Sequence, residues 1–544
     1  MAVVTFNRTD FEALVGRELS DEEYKKKIPM MGTPLEDLRD DEVDFEVFPN
    51  RPDLLSVEGF ARAVQGFLGI RDGLVKYDVK DSDYKVKVDK KLAGIRGCAA
   101  FAVVKGIHFT EEVVTAFMQL QKKLSLTIGR RRAKASIGTY DLRDVKFPVR
   151  LTTKSGNFKF KPLEFDKEMT IKEVLERHEK GQQYGHLLKD WKSYPIYMDA
   201  DENVLSLLPI TNAESSRIRS DTKDMLIEVT GTEWKAVFEI LKIVVSALAD
   251  RGCDIYEVQT VYKNKTVKAP TLKPWKMELD SDYVNKLLDL NLKEKEIKSA
   301  LKKMRFGVSG ENIFIPQYRT DILHPIDLVE DIAIAHGYEK FEPRIPKIPT
   351  IGKENSNEEL SNDLRSILSG LGFQEVVSFI LSNEEKQFDM VNKKKNSYVK
   401  IQNPKTEEYT MARVSLIPGI LETFAQNLSS EMPQKIFETG ITAKASKKAE
   451  TGAYNKRKLA AGIMHSEANY SEMKAYLDSF FTSVGREFKI KESKDKCFIS
   501  GRAVDIKVKG KKVGVLGEVH PEVLTDFGID YPVVLFEVDV EKLF

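Results

Sequence analysis

The stretch Y-R-T-D-I-L-H-P-I-D-L-V-E-D-I-A-I-A-H-G-Y-E-K-F, Tyr318 to Phe341, places Asp321, Asp327, Glu330 and Asp331 within eleven positions. Pro325 marks a helix start, because proline fits the first turn, where its missing N–H is not needed. On that helix Asp327, Glu330 and Asp331 fall at i, i+3 and i+4 and share a face. Leu328, Val329 and Ile332 take the other side, and Asp321 lies on the approach. Oxygen ligands converging in this way suit a hard cation such as Mg2+. Acidic residues in a first helical turn are also stabilised by the helix dipole without any metal. The spacing alone leaves both readings open.

Working outward, the helix belongs to a unit spanning 269–345. Two short helices, over 282–288 and 293–304, and a strand over 313–316 precede it, which predicts a small helical, winged-helix-like unit. Paired short helices are weak evidence for DNA binding, since they are common. The Pro-rich and then polar segment 343–357 reads as a connector. Beyond it, residues 355–544 open on a helix carrying Leu360, Leu364, Ile367, Leu368 and Leu371, and close on the strand-like V-V-L-F-E-V-D-V.

Upstream, residues 81–268 alternate strands and helices. Cys98 to Val104 predicts a strand and Val113 to Leu124 a helix. Trp234, Val237, Phe238, Leu241, Val244, Val245 and Leu248 predict an amphipathic helix that stops near Gly252. Residues 1–80 form an acidic opening unit, with a helix entry at F-P-N-R-P-D-L-L-S and Asp53 near its start. The Lys- and Asp-rich segment 76–91 reads as a linker or an exposed strand. The fold class expected is α+β and multidomain: an N-terminal α/β unit, a mixed α/β domain, the helical unit and a C-terminal sheet domain.

Composition narrows the function classes. The 85 basic and 84 acidic residues leave a formal net charge of +1, so nucleic-acid contact must come from local patches. Cys98, Cys253 and Cys497 are far apart and odd in number, which argues against a zinc knuckle or a disulfide framework. The N-terminus meets Asp10 too early for a signal peptide, and no run reaches the roughly 18 apolar residues of a membrane span. A cytoplasmic protein without membrane association is expected.

The acidic signature at 318–341 resembles that of the β subunit of phenylalanine–tRNA ligase, archaeal or eukaryotic type. In that family the four acidic positions bind magnesium, so the resemblance assigns Asp321, Asp327, Glu330 and Asp331 to Mg2+. N-R-P-D-L-L-S near Asn50 is similar to the family's N-terminal domain. In 374–440, the order N-P, R-V-S-L-I-P-G-I-L and F-E-T-G resembles the class II aminoacyl-tRNA synthetase sheet domain.

An active class II core clamps ATP with arginines. The strand Lys435 to Thr439 has none, and the final strand has neither glycine nor arginine. Without cationic clamps the triphosphate charge is uncompensated. A catalytically silent copy of the fold is therefore expected, with no adenylation residues in this chain. The resemblance implies that ATP is used by a separate α subunit, in an α2β2 assembly that charges tRNA(Phe).

The resemblance gives 81–268 the role of an editing domain that hydrolyses Tyr-tRNA(Phe). A pocket for phenylalanine rejects an added hydroxyl only by about a hundredfold, which is why a second site is needed. The matching segments are 136–145, 203–214 and 227–232. They nominate Ser206, Asn212, Glu228, Thr230, Gly231 and Thr232, with Glu228 or Asn212 accepting from the tyrosine hydroxyl and Gly231 admitting close approach of substrate. Alternating Thr and Glu on a strand is also an ordinary solvent-facing pattern. Ser125 and Tyr140 stand where histidines are common in relatives, which puts editing in question. The basic run around Arg131 and Arg132 is a candidate contact for tRNA phosphates, and equally a solvated loop. The alternative function is a non-catalytic RNA-binding or scaffold subunit that has lost editing.

Overall fold

The computed structural model describes residues 2–544. The chain divides into two compact units, with the division between Ile345 and Pro346, inside the Pro-rich connector. The architecture is mixed α/β throughout. Among the described residues, no helix is long and apolar enough to cross a membrane.

The first unit begins with a three-stranded sheet in which Glu42–Val47 lies between Ala2–Asn7 and Leu35–Leu38. Phe6, Phe11, Phe45 and Phe60 pack ring against ring beneath it. The helix Val57–Phe67 is capped by Ser56, whose hydroxyl accepts from the Gly59 amide at 2.9 Å. Asp53 lies in the first turn of the short helix Pro52–Leu55 at this entry, as expected, where it is buried and paired with Arg51 at 2.9 Å.

The largest sheet has eleven strands. Its order runs from Thr211–Asn212 and Val204–Leu207 at one end to Met225–Gly231 and Ala135–Asp141 at the other. Alternation along Met225–Gly231 sends Met225, Ile227 and Val229 against the helices Glu111–Leu126 and Trp234–Asp250. The opposite face carries Leu226 with Phe101, Val103 and Tyr140, and meets Tyr197 and Leu205 from the other end of the sheet. The sheet therefore curls until its ends face each other. Segment 76–91 is part of this fold: Val79–Lys80 and Lys85–Val88 both pair in parallel with Asp254–Val261. Of the two readings, linker or exposed strand, the strand holds, with alternating lysines outward and Val86 and Val88 facing the core.

The helices Ser281–Leu288, Glu294–Lys303 and Pro325–His336 accompany a small sheet of Trp275–Glu278, Asn312–Ile315 and Gly307–Ser309. Buried charge ties the parts of the first unit together, and one cation–π contact reaches this part at Tyr318. Arg62 donates to Tyr77 at 3.0 Å, pairs with Asp250 and lies 3.7 Å over the Tyr318 ring. Arg251 bridges Asp10 and Glu58. Removing one partner of a buried pair costs about 3–5 kcal/mol, so these contacts fasten residues far apart in sequence.

The second unit is built on seven strands. The central run of Gln434–Ala445, Ala453–Met464, Val533–Asp539, Lys511–Val519 and Phe498–Val508 is antiparallel, and only Gln374–Glu375 joins in parallel. Helices Ser356–Gly370 and Tyr470–Ser483 pack on one face and Ile417–Gln426 on the other. Ahead of the first long strand, Val377 and Phe379 stand 87% and 79% exposed, followed by exposed Ile380 and Leu381. Ser378 between them turns inward to Glu438.

Candidate functional site

The strand Met225–Gly231 is buried along its whole length. Register places Glu228 opposite Gly138 and Thr230 opposite Ser136, all on one face. The Thr230 hydroxyl donates to Glu228 Oε1 at 2.7 Å, and the Tyr140 hydroxyl donates to Glu228 Oε2. The Tyr140 and Ser206 hydroxyls are 2.9 Å apart. Arg96 closes the network, donating to Ser136 Oγ at 3.0 Å and the Thr230 carbonyl at 2.9 Å. Burial pushes the Arg96 guanidinium down to about 10, and raises both the Glu228 carboxyl and the Tyr140 phenol.

This corrects the expectation that Glu228, Ser206 and Thr230 face a substrate directly. Glu228 and Thr230 are 0% exposed, and their polar atoms are used within the protein. The solvent-facing alternative for the strand fails as well, because the curled sheet covers that face. Gly231 serves packing: a Cβ there would meet the Lys134 carbonyl oxygen at 2.1 Å. Asn212 and Thr232 remain accessible. The Asn212 amide donates to the Thr139 carbonyl at 3.1 Å, and Thr232 lies past the strand end. Sequence reading missed Arg96, which reaches Thr230 from 134 residues away and carries no local pattern.

Beside the network, Arg130, Arg131 and Arg132 take φ of 48°, 52° and 66°. Left-handed backbone costs non-glycine residues roughly 1–2 kcal/mol each, and strain of this kind clusters at functional sites. Arg131 is exposed. Arg132 is committed inward, donating to the Pro209 and Ile210 carbonyls at 2.9 and 2.8 Å and lying 4.3 Å over the Tyr184 ring. Its expected role in RNA contact gives way to a structural one. Ser125 also has a backbone role here, accepting from the Arg132 amide at 3.2 Å.

The acidic helix starts at Pro325, with His324 as its cap. Asp321, Asp327, Glu330 and Asp331 line one pocket of about 260 Å³, yet each is already engaged. Arg319 contacts Asp321 and Asp331 at 2.7 Å each. Asp327 Oδ2 accepts from the amides of Leu323 and His324 at 2.7 and 2.8 Å. Glu330 accepts from the Tyr338 hydroxyl at 2.8 Å. Burial works to raise the Asp321 carboxyl, but Arg319 and Arg51 hold it below the usual range. Burial pushes the deeper Asp331 up despite Arg319. Among the described residues, no three His, Cys, Asp or Glu side chains are arranged to hold a metal. The four carboxylates do not fit a metal centre held by this chain alone, because a guanidinium stands between two of them. Asp327 and Glu330 keep oxygens toward the pocket.

In the second unit, Arg413 reaches Glu438 at 2.6 Å and Ser378 at 2.9 Å. The strand has no arginine of its own, but folding brings one to it, and a carboxylate consumes its charge. Lys458 pairs with Glu537 at 2.8 Å and Lys456 with Asp539 at 3.1 Å.

The family described as phenylalanyl tRNA synthetase beta chain CLM domain matches residues 342–540, and the tRNA synthetase B5 domain family matches 277–338. The phenylalanine–tRNA ligase beta subunit of Archaeoglobus fulgidus is 42% identical, with 100% of this chain and 99% of that protein covered. The Pyrococcus abyssi beta subunit is 38% identical over 99% of both. A crystal structure of an N-terminal fragment of the Pyrococcus horikoshii phenylalanyl-tRNA synthetase beta subunit aligns with a TM-score of 0.60 at 39% identity, covering 62% of this chain and 99% of that one. By identity along its full length, this chain belongs to the phenylalanine–tRNA ligase β-subunit family.

Proposed function

We propose that this chain works with an α partner to charge tRNA(Phe) with phenylalanine, ATP being consumed on the α side, and that residues 81–268 hydrolyse Tyr-tRNA(Phe). The observation that carries the first part is similarity over the whole chain to proteins named as β subunits. The paired cations of the second unit support a sheet that does not adenylate. Its exposed row at Val377–Leu381 suits contact with a partner.

For hydrolysis, Glu228, Thr230 and Ser206 act as positioning residues behind the accessible Asn212 and Thr232. Arg131, on its left-handed turn, is the arginine offered to tRNA phosphate. No Ser/His/Asp or Cys/His set occurs among these residues, so a positioned water is the better nucleophile than a covalent intermediate. One observation favours the alternative of a subunit that has lost editing: Tyr140 already fills Glu228.

At the acidic helix, a magnesium ion would be held by Asp327 and Glu330, with remaining ligands from the α partner and water. Mg2+ commonly keeps several waters and takes only one or two carboxylates. When bound there it would supply charge neutralisation for those two carboxylates.

The test is reconstitution. The chain captured from native extract should bring a synthetase-type α chain in equal amount, and only the pair should charge tRNA with phenylalanine. In that pair Thr230→Val should slow tyrosine release from mischarged tRNA at least about tenfold while charging is unchanged. A chain that stays alone and binds DNA would overturn the first part. Unaltered hydrolysis in the variant would remove Thr230 from the second.

A further inference from the structure

The polar network on Met225–Gly231 contains a phenol, and that phenol belongs to the protein. Tyr140 lies back along its own strand so that its hydroxyl reaches Glu228 and Ser206. Gly138 permits this, since a Cβ there would stand 2.4 Å from the Tyr140 hydroxyl and 2.7 Å from Glu228 Oε2. The ring packs among Phe101, Leu226 and Leu205, with Tyr197 at a centroid distance of 5.4 Å. Tyr140, Glu228 and Thr230 are all 0% exposed. These are the elements of a seat for a 4-substituted phenol: aromatic and aliphatic walls, a carboxylate acceptor fixed by Thr230, and a second hydroxyl beside it. A buried carboxylate is costly unless its oxygens are satisfied. Something with a donor must therefore sit here, and in this structure it is Tyr140.

We propose that Tyr140 is the resident occupant of a phenol-binding seat formed by Glu228, Thr230 and Ser206, so that position 140 decides whether Glu228 is available to read a tyrosyl hydroxyl. The proposal deepens the editing reading and rests on it for its biological meaning. A tyrosyl group engages Glu228 only when Tyr140 leaves the seat. With Tyr140 in place, hydroxyl recognition must fall on another acceptor, such as the accessible Asn212.

The probe is 4-methylphenol, with toluene as its hydroxyl-free control, added to the full chain and followed by thermal shift and calorimetry. The native chain should bind neither. Tyr140→Ala should bind 4-methylphenol saturably and at least about tenfold more tightly than toluene, because a site built to bond a hydroxyl rejects the analogue lacking it. The preference should vanish in the Tyr140→Ala, Glu228→Gln double variant. Tyr140→Val also removes the ring but keeps a β-branched side chain suited to a strand, which guards against a misfolded alanine variant. It too should gain a 4-methylphenol shift that toluene does not give. If Tyr140→Ala folds cooperatively and neither variant prefers the phenol, the proposal is wrong. It is equally wrong if the preference survives Glu228→Gln.

A parallel arm with Tyr-tRNA(Phe) keeps the two readings apart. Phenol binding without hydrolysis by any form would sink the editing reading and leave the seat standing. Hydrolysis by the native chain without phenol binding by the variants would do the reverse.

Discussion

Arg131 and Arg132 are adjacent in sequence and opposite in situation. Arg132 is spent on two carbonyls and a tyrosine ring, while Arg131 faces solvent. Arg132→Ala should therefore destabilise the first unit by about 1–3 kcal/mol, through carbonyls left unpaired, and this is read from a denaturant midpoint. Arg131→Ala should leave that midpoint in place, weaken tRNA binding and lower the salt slope by about one. Equal effects from both would show that the two guanidiniums share one environment. Asp141 offers a prediction with a sign. Burial works to raise its carboxyl, and Arg143 and Thr222 outweigh that and hold it at about 2, against about 3.9 in an unfolded chain. A depressed carboxylate adds stability above the unfolded value, and that contribution is lost as pH falls through the folded one. Urea midpoints of native protein and Asp141→Asn should therefore differ above about pH 4 and converge toward pH 2.

The helices were legible where their apolar spacing was strong, as in Trp234–Asp250, and where punctuation was explicit, as at Pro325 and Gly252. The strand Lys85–Val88 was legible only as one of two readings, linker or exposed strand, because alternating lysines on an outward face fit both. The site strand shows a different limit. Its residues were identifiable, but T-G and E-V-T do not announce that a curled sheet will bury them. Nor does any local pattern bring Arg96 or Tyr140 to Glu228. Burial here is decided by distant strands, with Tyr140 arriving from 88 residues away and Arg96 reaching Thr230 from 134. The element makes its own prediction at Gly231, where the Lys134 carbonyl leaves no room for a side chain. Gly231→Ala should cost about 1–3 kcal/mol from overpacking. If the urea midpoint does not move, the strands are not held this closely.

For the whole molecule, the acidic helix was legible as a sequence motif and misleading as a complete site. Four carboxylates in eleven positions look like a ligand set. What sequence spacing hides is Arg319, two residues before Asp321, folded between two of them. A cation at this helix must then be a property of the assembly. Calorimetry on the chain alone should show no tight magnesium binding. Sedimentation of the chain mixed with its α partner should show association strengthened by Mg2+ and weakened by Asp327→Asn. Tight binding by the chain alone, or assembly indifferent to both, would mean that the carboxylates serve only the helix entry.

The row Val377, Phe379, Ile380, Leu381 carries a further consequence, for the life of the protein in the cell. A short apolar run without proline or charge, exposed beside a strand, is the kind of segment through which chains stick to their own copies. A newly made chain carries that hazard until something covers it. The tolerable amount of this subunit is then set by the supply of whatever covers the row, and surplus copies are the ones that quality control should remove first.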